Sequence, residues 1–266
     1  MVFEPVTSDD LDPIRDLQPD DWSDIIPHMQ YYIRADFCYP IKVILDNRIV
    51  GTGTMVDLQD TIWLAHIIIH NAYRSRGIGY QLVEELMRNT ISNCETPVLL
   101  TATKLGEPLY AKHGFRAISD YVFMTRQKPW NSGHISLNII PYDIRYRQAI
   151  YEMDRRVTGE NRERILLSFL KSGHLFIRNN KVRGYYLPDL GEGLIIADDR
   201  EAGLELMKMK YATVDKAVLP AENTAGIAFL KENGFMETST GKRMMLGQDI
   251  TWKPDNIYSR IGGNFG

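Results

Sequence analysis

The sequence predicts an α/β protein of α+β type, built as two mixed-sheet domains in tandem, the second a degenerate copy. Three observations point there. Runs of β-branched residues alternate with stretches of helical periodicity along the whole chain. A segment bearing Pro and Gly, Gln127-Lys128-Pro129-Trp130-Asn131-Ser132-Gly133, divides the chain near its middle. The order before it is partly repeated after it. Tyr110-Ala111-Lys112-His113-Gly114-Phe115 is echoed by Phe229-Leu230-Lys231-Glu232-Asn233-Gly234-Phe235, in each case a short apolar helix ending at Gly-Phe with a strand to follow. We therefore expect one domain over residues 1–128 and another over 134–266.

The elements follow in order. Helical spacing runs through Met29-Gln30-Tyr31-Tyr32. Lys42–Asp46 and Arg48–Val56 read as a hairpin turned at Asp46-Asn47. Thr61–Ile69 is a third strand. From Gly77 to Arg88, Ile78, Leu82, Val83, Leu86 and Met87 line one helical face, with Glu84 and Arg88 paired on the other. Pro97–Thr103 is strand, Pro108–Lys112 a short helix stopped by Gly114, and Phe115–Arg126 strand again. Past the linker, Ile135–Ile140 reads as strand, and Tyr142–Asp154 and Arg162–Lys171 as helices. His174–Arg178 and Val182–Leu187 form a hairpin at Asn179-Asn180. Leu194–Ala197, Val214–Leu219 and Phe235–Leu246 are strands, with helices at Glu201–Lys210 and Ala225–Lys231 between them.

Composition narrows the function. The 266 residues are 44% apolar, enough for two cores, and the 31 basic residues are mixed among 34 acidic ones. No basic block offers a nucleic-acid footprint, and none is expected as partner. Cys38 and Cys94 stand far apart without zinc-ligand spacing, so no metal and no disulfide is expected. Met1-Val2-Phe3-Glu4-Pro5 lacks the features of a signal peptide, and Ile62–Ile69 is too short to span a bilayer. The expectation is a cytoplasmic protein with no membrane partner.

The segment that carries chemistry is Trp63 to Leu82. A buried strand enters the turn Arg74-Ser75-Arg76-Gly77-Ile78-Gly79, and that turn opens an amphipathic helix. The first N–H groups of a helix lack internal partners and carry partial positive charge, which suits a phosphate or pyrophosphate. Gly77 and Gly79 allow close backbone approach, and Arg74 and Arg76 add charged donors.

With Arg74, Gly77 and Gly79 in an Arg-x-x-Gly-x-Gly pattern after a strand, and a Tyr-x-x-x-Gly-Phe ending at Tyr110–Phe115, the chain resembles the GNAT superfamily of N-acetyltransferases. The two motifs span most of residues 40–126. The resemblance implies an acyltransferase that uses acetyl-CoA as co-substrate and passes its acetyl group to a primary amine by direct attack. The expected acceptor is a small molecule. A protein amine, or a non-catalytic acyl-CoA sensor, are the alternatives. Cofactor contacts would come from Ile67, Ile68, Ile69, Arg74, Ser75, Arg76, Gly77, Ile78 and Gly79, and Tyr110 would be the general acid for the departing thiolate. Alternatively Tyr110 only packs its ring in the core. Strict alternation places Trp63 and Ala65 on the acceptor face and His66 opposite, unless a bulge shifts the register. His70 reads as a loop histidine. The resemblance also allows a homodimer.

The matching turn of the second half, Asp198-Asp199-Arg200-Glu201-Ala202-Gly203-Leu204-Glu205, lacks the second glycine and carries four carboxylates. It is not expected to bind a pyrophosphate. Asp154–Leu167, Gly184-Tyr185-Tyr186, Pro220–Asn223 and Pro254–Tyr258 are similar to the C-terminal part of a two-domain bacterial GNAT family of the Bacillus YitH type. Leu187-Pro188-Asp189 departs from it where a Gly-Pro pair is expected. This half would wall the acceptor cleft, and its acidic turn and the Asp154/Glu160 region would either suit a cationic amine or form an ordinary acidic surface.

Overall fold

The computed structural model describes residues 1–19, 22, 24–88, 96–128 and 133–266. The first half runs β1 (Val2–Pro5), α1 (Leu11–Arg15), α2 (Ile26–Arg34), β2 (Cys38–Leu45), β3 (Arg48–Asp57), β4 (Ile62–Ile69), α3 (Ile78–Arg88), β5 (Val98–Ala102), α4 (Glu107–Lys112) and β6 (Arg116–Thr125). The second runs β7 (Ile139–Pro141), α5 (Arg147–Thr158), α6 (Glu163–Leu167), β8 (His174–Arg178), β9 (Lys181–Leu187), β10 (Leu194–Ala197), α7 (Arg200–Tyr211), β11 (Lys216–Pro220), α8 (Thr224–Glu232), β12 (Met236–Leu246) and β13 (Ile257–Ser259). The order hairpin, strand, helix, strand, short helix, strand occurs twice. Each hairpin turns on two residues of positive φ, Asp46-Asn47 and Asn179-Asn180, as the right-handed twist of the paired strands favours.

The strands form two sheets. One has the order β1-β2-β3-β4-β5-β12-β6-β11 and the other β13-β10-β9-β8-β7. The halves therefore share strands. β12 lies between β5 and β6, antiparallel to both, with Leu246 opposite Val98 and Met244 opposite Leu100. β11 continues the same sheet beyond β6.

One apolar core joins the halves, bringing Ile14, Tyr32 and Trp63 together with Ile150, Leu166 and Tyr185. A second lies where α3 and α4 cover the first sheet, and a third lies under α7 and α8. Two buried ion pairs cross or flank the joint. Arg162 meets Asp154 at 2.6 Å, and Arg243 meets Glu160 at 2.9 Å. Glu160 also accepts from Trp63 Nε1 at 2.5 Å. Among the described residues no helix is long and apolar enough to cross a membrane.

Several local expectations are corrected. The strand expected over Ile135–Ile140 is only Ile139–Pro141, because the Ile139 N–H closes a turn onto the Ser136 carbonyl at 3.0 Å. The helix expected from Tyr142 begins at Arg147, since the Asp143 side chain accepts from the Arg145 N–H and sets a 3₁₀ turn first. It runs on to Thr158 and stops at Gly159, φ 75°. The helix expected over Arg162–Lys171 breaks into α6 and a separate 3₁₀ turn, Leu170–Ser172. Within the linker, residues 129–132 lie outside the described residues, as does Cys94.

Candidate active site

The site begins with a fault in β4. Thr52 of β3 faces Ile68 and Thr54 faces Ala65, so His66 and Ile67 together oppose Gly53. This is a β-bulge, and His66 takes φ 47° within it. The bulge places Ala65 and His66 on the same side. Trp63, Ala65 and Ile68 join the core shared with α2, and His66 touches α2 residues. Leu64, Ile67 and Ile69 face the α3 side. Strict alternation had put His66 on the face opposite Ala65; the inserted residue reverses that.

On its other edge β4 runs parallel to β5 only from Ile62 to Leu64, opposite Val98 to Leu100. Past Leu64 the ladder ends. Ile67, Ile68 and Ile69 border the gap, and Arg74 Nε donates to the Ile69 carbonyl at 3.0 Å. The gap leads to the turn at the head of α3. Ser75 (φ 61°) and Gly77 (φ 80°) are left-handed there, a backbone path that gathers successive N–H groups into an anion nest. Arg74, Ser75, Arg76 and Gly77 are exposed, while Ile78 is buried as the helix's first anchor. A Cβ built on Gly77 meets nothing within 4 Å, and one on Gly79 makes only ordinary contacts with Leu109 and Ile69. The protein itself does not fill this cradle. Together with two cations and open helix N–H groups, that fits the pyrophosphate of a coenzyme.

Tyr110 sits in the same apolar cluster as Ile67 and Ile69, 7% exposed, its ring edge against Phe115. Burial pushes its phenol well above the ordinary tyrosine range, so it keeps its proton at neutral pH. The phenol can give a proton, and the packing role and the acid role use the same position.

The other face of β4 carries residues that the sequence did not bring together. Tyr32 Oη lies 2.7 Å from His66 Nδ1, and Asn264 Nδ2 donates to that hydroxyl at 2.9 Å. The His28 ring lies 4.9 Å from the His66 ring, and Trp22 closes the group edge-on at 6.0 Å. Burial holds His66 down to about 3. His28 is also lowered by burial, against the pull of Glu192 and Asp24. Both imidazoles are neutral at pH 7. No periodicity signals this cluster, since it needs the bulge and a tail residue 232 positions from Tyr32.

The second half has no such gap. β10 is the counterpart of β4, and β13 pairs along its free edge, Ile195 opposite Ser259 and Ile196 opposite Ile257. Tyr258 lies over Gly203, the fourth residue of α7. Asp199 caps α7, accepting from the Ala202 N–H at 3.0 Å. The acidic turn is also neutralised. Asp198 pairs with Arg156 at 2.6 Å, Asp199 with Arg178 at 2.5 Å, Glu205 with Lys208 at 2.5 Å, and Glu201 with Arg178. Asp154 and Glu160 are buried within their own ion pairs. Of the two readings of these acids, the ion pairs favour an ordinary charged surface over a subsite for a cationic amine.

The acetyltransferase (GNAT) domain family matches residues 37–117, and a second acetyltransferase (GNAT) domain family matches residues 150–259. No curated protein matches the chain. Among solved structures, a Pyrococcus horikoshii protein named for an inferred acetyltransferase activity superposes with TM-score 0.83 at 18% identity, covering 100% of this chain and 95% of its own. A GCN5-related N-acetyltransferase from Sphaerobacter thermophilus gives 0.66 at 15% identity, covering 95% and 98%. A tandem GNAT protein from the clavulanic acid biosynthesis pathway gives 0.61 at 13%, covering 93% and 99%. At these identities the likeness speaks for the fold, and the two domain matches speak for the family. The chain belongs to the GNAT superfamily, with two acetyltransferase domains in tandem.

Proposed function

We propose that the protein transfers an acetyl group from acetyl-CoA to a primary amine of a small molecule, by direct attack of the amine, at a single site in the first half. The observation that carries this is the contrast between the halves. Beyond Leu64 the edge of β4 is open beside an uncovered glycine turn, whereas β13 and Tyr258 close the equivalent slot.

Acetyl-CoA supplies an activated thioester. The N–H groups at the head of α3, with Arg74 and Arg76, would hold its pyrophosphate. Backbone groups of Ile67 and Ile69 would pair with the pantetheine arm and offer N–H donors to the oxygen on which charge develops. Tyr110 would hold a proton for the leaving sulfur. The second half supplies β12 to the sheet and the Asn264 tail to the acceptor face. We read the chain as a two-domain protein of the YitH type on the residues quoted above.

The test is release of free thiol from acetyl-CoA across a panel of small amines and a lysine peptide. Release that depends on a small amine supports the reading. Release only with the peptide would move the acceptor to protein. Acetyl-CoA binding with no release from any amine would contradict it.

A further inference from the structure

Acetyl transfer in the first half gives the bulge histidine no task so far. We propose that His66 serves as a neutral hydrogen-bond donor through Nε2, toward an oxygen of the bound reactants, and that Tyr32 and Asn264 are positioning residues that fix this tautomer. The proposal rests on acetyl transfer at the first half.

The Asn264 Nδ2 group can only donate, and it donates to the Tyr32 oxygen at 2.9 Å. That oxygen has a single proton left to give, and its other neighbour is His66 Nδ1 at 2.7 Å. Of the two tautomers, only the one in which Nδ1 accepts gives the buried Tyr32 proton a partner. A neutral imidazole whose Nδ1 accepts carries its proton on Nε2. Among the described residues Nε2 has no partner of its own, and His66 as a residue is only half-buried. The bulge sets His66 beside Ile67 in β4, past Leu64 where the ladder to β5 has ended. A general base would need a bare nitrogen turned toward the amine, and here the bare nitrogen is committed to Tyr32. Burial of the ring agrees, since it disfavours the imidazolium that a base would become.

The second half reaches into the first half's chemistry by this route. The tail leaves the closed slot at β13 and arrives at Tyr32 with Asn264, which is buried. The tandem arrangement thus delivers a tautomer-setting residue as well as a wall.

Two measurements test this, and the first needs no turnover. In protein labelled with ¹⁵N at the histidine rings, His66 should show a bare Nδ1 and a protonated Nε2. Asn264→Asp should reverse the pattern, because a carboxylate takes the Tyr32 proton and leaves the phenol oxygen to accept from Nδ1–H. A protonated Nδ1 in the parent, or no change in Asn264→Asp, overturns the relay. The second measurement is kinetic. Glutamine places an amide N–H near the position of Nε2 and has no basicity. His66→Gln should keep kcat within about threefold of the parent, while His66→Ala loses on the order of 10²-fold, as removal of one preorganised donor does. Equal loss in both variants would show that basicity was needed and would overturn the donor role. If the parent binds no acetyl-CoA, the transferase reading fails, and the ring spectrum still decides the relay.

Discussion

The ring of Tyr258 lies directly on Gly203: a Cβ built on Gly203 would run into the tyrosine ring. Gly77, in the turn just before α3, has nothing within 4 Å. One glycine makes room for the chain's own tail, and the other leaves room that the chain does not use.

This difference predicts unequal costs for the same substitution. Gly203→Ala must displace Tyr258 or the backbone of α7, and overpacking of this kind costs about 1–3 kcal/mol. Gly77→Ala meets no atom and pays only for a left-handed φ, about 1 kcal/mol. Chemical denaturation of the two variants should show the larger loss at Gly203, with acetyl-CoA binding retained there. A smaller loss at Gly203 than at Gly77 would mean that Tyr258 does not rest in that place.

Glu160 belongs to the second half and answers three donors of a shared sheet and core: Trp63, Thr61 and Arg243. Glu160→Ala leaves Arg243 buried without its carboxylate, and breaking a buried pair from one side costs about 3–5 kcal/mol. Because Trp63 lies on β4, the loss should appear as unfolding of both halves in one transition at a lower denaturant concentration. Two separated transitions in the parent would contradict a jointly held core.

How much of this was legible in the sequence follows from what each feature depends on. The hairpins at Asp46-Asn47 and Asn179-Asn180, the amphipathic face of α3 and the glycine turn are local, and local patterns carry them. The exchange of β12 into the first sheet is not local. A strand of Met244-Met245-Leu246 type reads the same whichever neighbour it finds. The side of His66 depends on one inserted residue against Gly53, which alternation cannot count. Neutralisation of the acidic turn depends on Arg156, Arg178 and Arg183 arriving from α5, β8 and β9. β13 was visible only as a resemblance in the tail, and its partner on β10 was not.

The histidine pair predicts an acid limb in stability. Burial lowers His66 from 6.5 to about 3 and lowers His28 as well, so between these values the unfolded chain binds more protons than the folded one. Stability from this source is complete above about pH 6.5 and is lost as the pH falls toward 3. At pH 5 the His66 share is at most about 2 kcal/mol. Urea midpoints at pH 7 and pH 5 should lie closer together in His66→Gln than in the parent. The same separation in both proteins would mean that His66 titrates normally.

The most direct test of the central claim is a calorimetric titration with acetyl-CoA. The open first slot and the closed second one predict one site per chain in the parent. They predict no binding in Gly79→Glu, which puts a carboxylate at the head of α3, and unchanged binding in Glu205→Ala. Two sites per chain, or a Gly79→Glu variant that binds like the parent, would contradict the assignment of the coenzyme to the turn at Arg74–Gly79.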